Sequence, residues 1–248
     1  MQLTVLGCAG TFPGPDSPCS SYLLEHDGFR LVVDMGAGSL GQMQKHIGLL
    51  DVDAVFISHL HADHCIDLVA YSYARRYHPA GVPSRLPVYG PQGTCARICG
   101  SFEAPPIGGL LDVYDFHEVG AGSLSIGPFA VTTAVTSHPV ECHAVRLEAG
   151  GRTFTYSGDS GECAPLIELA SGTDLFLCEA SWEHADTNPV GLHLSGRQAG
   201  EHAAMAGAKK LLLTHVVAWT DSQVVLAEAK QAFRGDVTLA TCGTTYQV

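Results

Sequence analysis

Four apolar, β-rich runs in this chain end on a histidine or an aspartate and then break: DAVFISHLHADH, FAVTTAVTSHP, FTYSGDS and KLLLTH. A buried strand that closes on such a residue presents it at the rim of a sheet, so His59, His138, Asp159 and His215 are each expected on one rim of a sheet pair. The first run is the densest, with His59, His61, Asp63 and His64 inside six positions. In extended chain residues i and i+2 face the same way, so His59 and His61 can converge on one cation. Asp63 and His64 follow where the chain turns toward a helix and can face a second. Imidazole and carboxylate donors suit zinc. The two histidines and the aspartate at the later strand ends are what the cluster needs to complete its coordination, and Asp159 can bridge two ions.

The rest of the chain has to supply a core. With 248 residues, 46% of them hydrophobic, it can bury roughly 70–75% of its unfolded surface. No Pro-, Ser- or charge-rich linker divides it, so one domain over residues 1–248 is expected. MQLTVLGCAG lacks a basic n-region and is not read as a signal peptide. No apolar run approaches the roughly 18 residues of a membrane span. Nine cysteines without framework spacing fit free thiols in a reducing cytoplasm. Cys95 and Cys99, four apart on an expected helix, make an incomplete metal site by themselves, and packing is expected of them. The net charge is −12, with four lysines. Nucleic-acid affinity comes largely from Lys and Arg neutralising phosphates, so a large RNA or DNA partner is disfavoured, whereas a small anionic substrate drawn by bound metal is allowed.

Strands and helices alternate. YLLEHDGFRLVVDMG predicts a hairpin around Asp27-Gly28, and HAVRLEAGGRTFTYSG another at Gly150-Gly151. Helices are expected at SLGQMQKHIG, HCIDLVAYSYARRY, QGTCARIC and PLIELAS, with Ile66, Leu68, Val69 and Tyr73 largely on one side of the second. SGRQAGEHAAMAG opens with a capping-box pattern, Ser195 to Gln198. A further helix is expected from near Thr220, with Gln223 at the matching reciprocal position, to Phe233. LTVLG, LPVYG, LLDVYDFHEV, LSIGPFAVTTAVTS, TDLFLCEAS and VTLATC supply strands. Such mixed hairpins and crossovers suggest two sheets with helices outside.

The order HLHADH, SHP, SGDS, LTH resembles the metallo-β-lactamase superfamily over almost the whole chain. The resemblance implies an α/β fold, a four-layer αβ/βα sandwich with a dinuclear site at one edge. Carried over to this sequence, it gives His59, His61 and His138 to the first metal, Asp63, His64 and His215 to the second, and makes Asp159 the bridge. His61 stands where the redox diiron branch has Glu, which favours hydrolysis with two zinc ions; manganese and iron are the alternative metals. His143 follows His138 at a spacing the family does not use and is read as a non-ligand.

GLHLSGRQAGEHAAMAGAKKLLLTH resembles the phosphodiesterase branch, which includes the tRNA 3′-processing endonucleases (ribonuclease Z). There a histidine in the context of His193 contacts the scissile phosphate and assists the leaving group. Glu179 resembles an acid that orients His193 or a ligand histidine, with a plain strand-end carboxylate as the alternative. The endonucleases carry a long tRNA-holding arm between the positions of His138 and Asp159; here twenty residues separate the two, nearly all used by one hairpin. GPDSPCSSYLL, SHLHADHCIDL, ARRYHP, TYSGDSG, FLCEASW and LHLSG together look like the actinobacterial atypical class II cyclic-nucleotide phosphodiesterases. That resemblance implies a cytoplasmic enzyme hydrolysing a 3′,5′-cyclic nucleotide, principally cAMP, to 5′-AMP, and a homodimer is compatible with it. Two zinc ions roughly 3.5–4 Å apart can hold a hydroxide for that reaction. Asp63 would orient the hydroxide, and His193 would stabilise developing charge or protonate the departing ribose oxygen. The early loop GCAGTFPGPDSPCSS is a candidate site wall. Trp182 and His184 are candidates to flank the base, with loop packing the plainer expectation. Arg75 and Arg76 fit a solvated helix face as well as a phosphate-attracting one.

Overall fold

Side-chain alternation in the first hairpin sets the layering of the molecule, a computed structural model describing residues 1–81, 84–102 and 109–248. Tyr22, Leu24, Leu31 and Val33 share a core with Val145, Leu147, Phe154 and Tyr156. Leu23 and Val32 face the other way, into a core with Met43, Val55, Leu68 and Tyr71. A third core joins Phe176, Cys178, Leu211 and Leu213 to Leu166, Ala199, Ala203 and Val225. Three cores mean four layers: helices, sheet, sheet, helices. The expected αβ/βα sandwich is the observed fold.

Among the described residues each sheet has seven strands. Across the first they run Thr245–Gln247, Gln2–Gly7, Ser21–His26, Phe29–Val33, Ala54–Phe56, Leu86–Gly90 and Tyr114–Glu118. Across the second they run Asp236–Leu239, Lys210–Thr214, Leu175–Glu179, Arg152–Tyr156, His143–Ala149, Phe129–Val135 and Gly122–Ile126. The hairpins turn where the sequence predicts; Asp27 and Gly28 have φ of 48° and 78°, the positive pair that a two-residue turn matching strand twist requires.

Strand direction explains why the functional ends meet. Phe29–Val33 and Ala54–Phe56 are parallel, as are Arg152–Tyr156, Leu175–Glu179 and Lys210–Thr214. Phe129–Val135 is antiparallel to His143–Ala149, which is antiparallel to Arg152–Tyr156, so the first and last of these three run the same way. By the same parity Gln2–Gly7 runs with Phe29–Val33. The residues that follow the like-directed strands of each sheet therefore emerge on one rim of that sheet, and the donors they carry meet where the two rims adjoin.

Five local expectations are corrected. The segment after His64 is not one continuous helix but two, Ala62–Cys65 and Asp67–Arg76. The latter buries Leu68, Tyr71, Ser72 and Arg75, leaving Tyr73 43% exposed. Arg75 is thus not on a solvated face: it lies over the Tyr71 ring and donates to the Ser84 carbonyl. Arg76 donates to the Gly109 carbonyl and pairs with Asp112. The last helix, Ser222–Ala232, is capped by Asp221, whose carboxylate accepts from Gln223 N–H; the Thr220 hydroxyl instead donates to Ser181. Leu110–Asp112 is a 3₁₀ turn before its strand. Ser195 and Gln198 form the expected capping box on Gly196–Ala206. No helix among the described residues is long and apolar enough to cross a membrane.

Candidate metal centre

All seven expected donors converge. Nitrogen and oxygen atoms of His59, His61, His138 and Asp159 lie within 4.8 Å of one another, and so do those of Asp63, His64, Asp159 and His215. Asp159 belongs to both sets: Oδ2 is 3.6 Å from His59 Nε2, whereas Oδ1 is 3.3 Å from His64 Nε2 and 3.5 Å from His215 Nε2. The spacing within each set is that of ligands around one ion. His61 Nδ1 is 3.1 Å from His59 Nε2 and 3.3 Å from His138 Nε2. His215 Nε2 is 3.2 Å from both His64 Nε2 and Asp63 Oδ2. Donors bound tetrahedrally at about 2.0–2.1 Å stand about 3.3 Å apart.

The far side of each ring fixes which nitrogen faces the cluster. His64 Nδ1 donates to Asp34 Oδ2 at 2.7 Å, and His138 Nδ1 donates to the Leu192 carbonyl at 2.9 Å. The Ser58 hydroxyl donates to Asp34 Oδ2 at 2.8 Å, so its lone pair accepts from His59 Nδ1, 3.1 Å away. The Ser181 hydroxyl donates to Glu179 Oε2 at 2.9 Å and in the same way accepts from His215 Nδ1 at 3.0 Å. Each of these four rings therefore turns an unprotonated Nε2 inward. Two such lone pairs at 3.2 Å repel unless a cation lies between them. Asp159 Oδ1, buried, finds no hydrogen-bond donor among the described residues, an arrangement that is costly unless a cation is its partner. The donor set fits divalent metal.

Electrostatics agree. Burial, then the neighbouring His64, depress His59; burial, then His138, depress His61. Both stay neutral, as ligands must. Burial opposes charge on Asp159 and Asp63, yet the surrounding imidazoles hold both carboxyls well below the usual range. Burial likewise opposes positive charge at His64, and Asp159 and Asp34 outweigh it; a cation on Nε2 supplies that charge in place of a second ring proton. The same carboxylates favour a metal ion there.

His193 stands beside the donors with its ring 5.6 Å from that of His138 and 5.2 Å from that of His215. Its Nδ1 donates to Glu179 Oε1 at 2.9 Å. Burial works against protonation, but Glu179 lifts His193 to about 9. Glu179 is itself fully buried and held by Ser160 N–H at 2.7 Å; it orients His193 directly and His215 through Ser181, so the sequence alternatives of His193 and a ligand histidine both hold. The Trp182 indole stands edge-on to His193 at 5.2 Å and 83°, and His184 spends its ring on Ser195 Oγ. Both brace the loop. His143 is not among the donors; it faces Glu141.

Sequence reasoning missed Asp34, which accepts from Ser58 N–H and Oγ, His64 and Tyr156 OH. The signal was present: LVVDMG ends an apolar strand on a carboxylate just as FTYSGDS does. It also missed Thr11, whose N–H donates to Asp63 Oδ2 at 3.0 Å. Asp34, His215 and Thr11 have φ of 59°, 58° and 64°, strained values for residues with a Cβ that tend to gather at functional sites. Two glycines let backbone approach the donors: a Cβ on Gly36 would lie 2.0 Å from the Asp63 carbonyl oxygen, and one on Gly10 would lie 2.4 Å from that of His215.

Comparisons with known proteins agree with this geometry. The family described as the beta-lactamase superfamily domain matches residues 29–216. An uncharacterized protein of Mycobacterium tuberculosis is 42% identical over 255 residues, covering 100% of this chain and 92% of that protein. The probable metallo-hydrolase YhfI of Bacillus subtilis is 30% identical over 254 residues, with both chains covered fully. Its crystal structure superposes with a TM-score of 0.87, 29% identity and coverage of 99% and 98%. Human short-form tRNase Z shares the fold, with a TM-score of 0.80 at 22% identity and coverage of 100% and 99%. By sequence and by fold, the chain belongs to the metallo-β-lactamase superfamily and is a metal-dependent hydrolase.

Proposed function

We propose that this hydrolase is a zinc-dependent phosphodiesterase that opens 3′,5′-cyclic nucleotides, cAMP to 5′-AMP, in the cytoplasm. The observation that carries the reading is His193: an imidazole beside both donor sets, held by a buried carboxylate and favouring the charged form. It suits an anionic phosphoryl group better than a neutral acyl substrate. Two divalent ions held by His59, His61, His138, Asp63, His64, His215 and the shared Asp159 would neutralise phosphoryl charge and supply Lewis acidity.

The chain's own groups do the rest. Asp63, oriented by Thr11 N–H, aligns the attacking water, which two bound cations would let lose its proton to solvent near neutral pH. His193, with Nδ1 committed to Glu179, has Nε2 left to protonate the departing ribose 3′ oxygen. Breaking that P–O bond leaves the phosphate on the 5′ oxygen. Glu179 keeps the ring oriented and stabilises its positive charge, in the manner of a carboxylate behind a catalytic imidazole.

A tRNA 3′-processing endonuclease is the second reading, favoured by the fold shared with human short-form tRNase Z. Against it stands the interval between His138 and Asp159, which the strands His143–Ala149 and Arg152–Tyr156 occupy with a turn at Gly150-Gly151. The −12 charge also offers little phosphate neutralisation to a long RNA.

The test is side-by-side turnover of cAMP, cGMP and precursor tRNA by metal-quantified protein. Chromatography should show 5′-AMP from cAMP and little trimmed tRNA. Efficient 3′ trimming without any 5′-AMP would replace this reading with the endonuclease.

A further inference from the structure

Phe12 and Trp219 form an aromatic pair at the rim of the site that the metal chemistry leaves unexplained. Their ring centroids are 5.1 Å apart, tilted by 39°. The tryptophan is 78% exposed and the phenylalanine 36%. An indole left in water forgoes a large gain from burial, and the paired rings offer a flat apolar face beside the donors.

Backbone ties the pair to the donors. Ala9–Gly10 and Val216–Val217 form a short parallel ribbon, Ala9 opposite Val216 and Gly10 opposite Val217. One strand of that ribbon leads into Thr11 and Phe12; the other leaves His215 and reaches Trp219 four residues on. Thr11 N–H is 3.0 Å from Asp63 Oδ2, and Phe12 is the next residue, about 3.8 Å along the Cα trace. Phe12 N–H donates to the Gly10 carbonyl at 2.7 Å, closing a three-residue turn with Thr11 at φ 64°, a rare and strained conformation. On the other side Thr220 N–H donates to the Val217 carbonyl at 2.8 Å and the Thr220 hydroxyl to that of Ser181 at 3.2 Å. Both turns are pinned by residues that also hold the donors.

We propose that Trp219, braced by Phe12, is the stacking platform for the base of the nucleotide whose phosphoryl group lies at the metal donors. The inference rests on the cyclic-nucleotide reading and adds a base-binding element to the candidates Trp182 and His184. At 5.1 Å the two rings admit no third ring between them, so the base stacks on the exposed indole. Two side chains make too small a patch for a protein partner, which covers about 800 Å² per side. A planar heteroaromatic ring matches their size and chemistry, and stacking does not depend on which base edge is presented.

The experiment measures steady-state kinetics on cAMP for Trp219→Ala, Phe12→Ala and Trp219→Phe, each with its metal content and thermal midpoint matched to wild type. Trp219→Ala should raise KM about 5- to 150-fold, the range expected for losing one base–aromatic stack, with kcat little changed because the contact is uniform along the reaction. Trp219→Phe should recover most of the loss. In a Trp182→Phe protein, which keeps Trp219 as the single tryptophan, 5′-AMP should quench the fluorescence saturably. An unchanged KM in a folded Trp219→Ala enzyme that still turns over cAMP overturns the stacking site and leaves the phosphodiesterase reading intact. If wild type does not hydrolyse cAMP, that reading fails by itself, and the fluorescence titration decides the platform: no saturable quench overturns it.

Discussion

Asp34 and Glu179 hold matching posts on the two sheets. Each is a fully buried carboxylate at the C-terminal end of a strand. Asp34 accepts a hydrogen bond from His64 Nδ1 and, through the Ser58 hydroxyl, secures His59. Glu179 accepts a hydrogen bond from His193 Nδ1 and, through the Ser181 hydroxyl, secures His215. One carboxylate and one serine per sheet thus set four imidazoles, and anionic partners of this kind raise the basicity of a ligand ring.

Replacing Asp34 by Asn keeps the volume but removes the charge and puts an amide donor where one of its four donors now points. Metal affinity should fall about 10- to 100-fold. Chelator competition monitored by metal analysis measures it. Wild-type affinity would mean that Asp34 serves only to pack the rim.

Asp159→Ala should lose metal and activity together. It removes the oxygen pair shared by both donor sets and leaves two cations less screened from each other. Metal analysis after gel filtration is the readout, and full occupancy at both sites would remove Asp159 from its bridging role.

His193→Ala should retain metal and lose about 10²- to 10⁴-fold in kcat, the range for a general acid or oxyanion partner. Glu179→Gln should lower activity by a smaller factor, about 10- to 100-fold, since it disturbs orientation on both His193 and His215. Wild-type turnover in His193→Ala would return that histidine to a packing role.

Away from the site, Lys209 Nζ lies 2.7 Å from Asp174 Oδ1. Burial opposes ionisation of Asp174, but the Lys209 ammonium and the Thr153 N–H and hydroxyl pull its carboxyl down to about 2, below an unfolded value of about 3.9. A depressed carboxyl stabilises the fold above its unfolded pKa and loses that contribution as pH falls through the folded one. With Lys209 largely exposed, its share is no more than about 1 kcal/mol. The Tm difference between wild type and Lys209→Met should be a few degrees at pH 6 and should shrink as the pH falls from about 4 to 2. A difference independent of pH would show that Lys209 contributes through its stem instead.

The donors were legible in the sequence because their signal is local. His59, His61, Asp63 and His64 sit in one turn, and His138, Asp159 and His215 each close an apolar run. Strand period and turn chemistry place such residues without knowledge of any partner. The hairpins at Asp27-Gly28 and Gly150-Gly151 were legible for the same reason. Strand direction then brought the ends to one rim, and direction follows from how many antiparallel steps separate two strands, a property of the assembled sheet.

What holds the donors was decided by the tertiary structure. Asp34 meets His64 across 30 residues and Tyr156 across 122, and the serine links to His59 and His215 exist only once both strands are packed. A lone buried serine or aspartate carries no mark of its future partner, because a hydrogen bond's worth depends on distance and desolvation that the folded chain alone supplies. The same holds for Arg75, which looked solvent-facing until Tyr71 and Ser84 closed over it, and for Phe12 and Trp219, which come together only through the ribbon of Ala9–Gly10 with Val216–Val217.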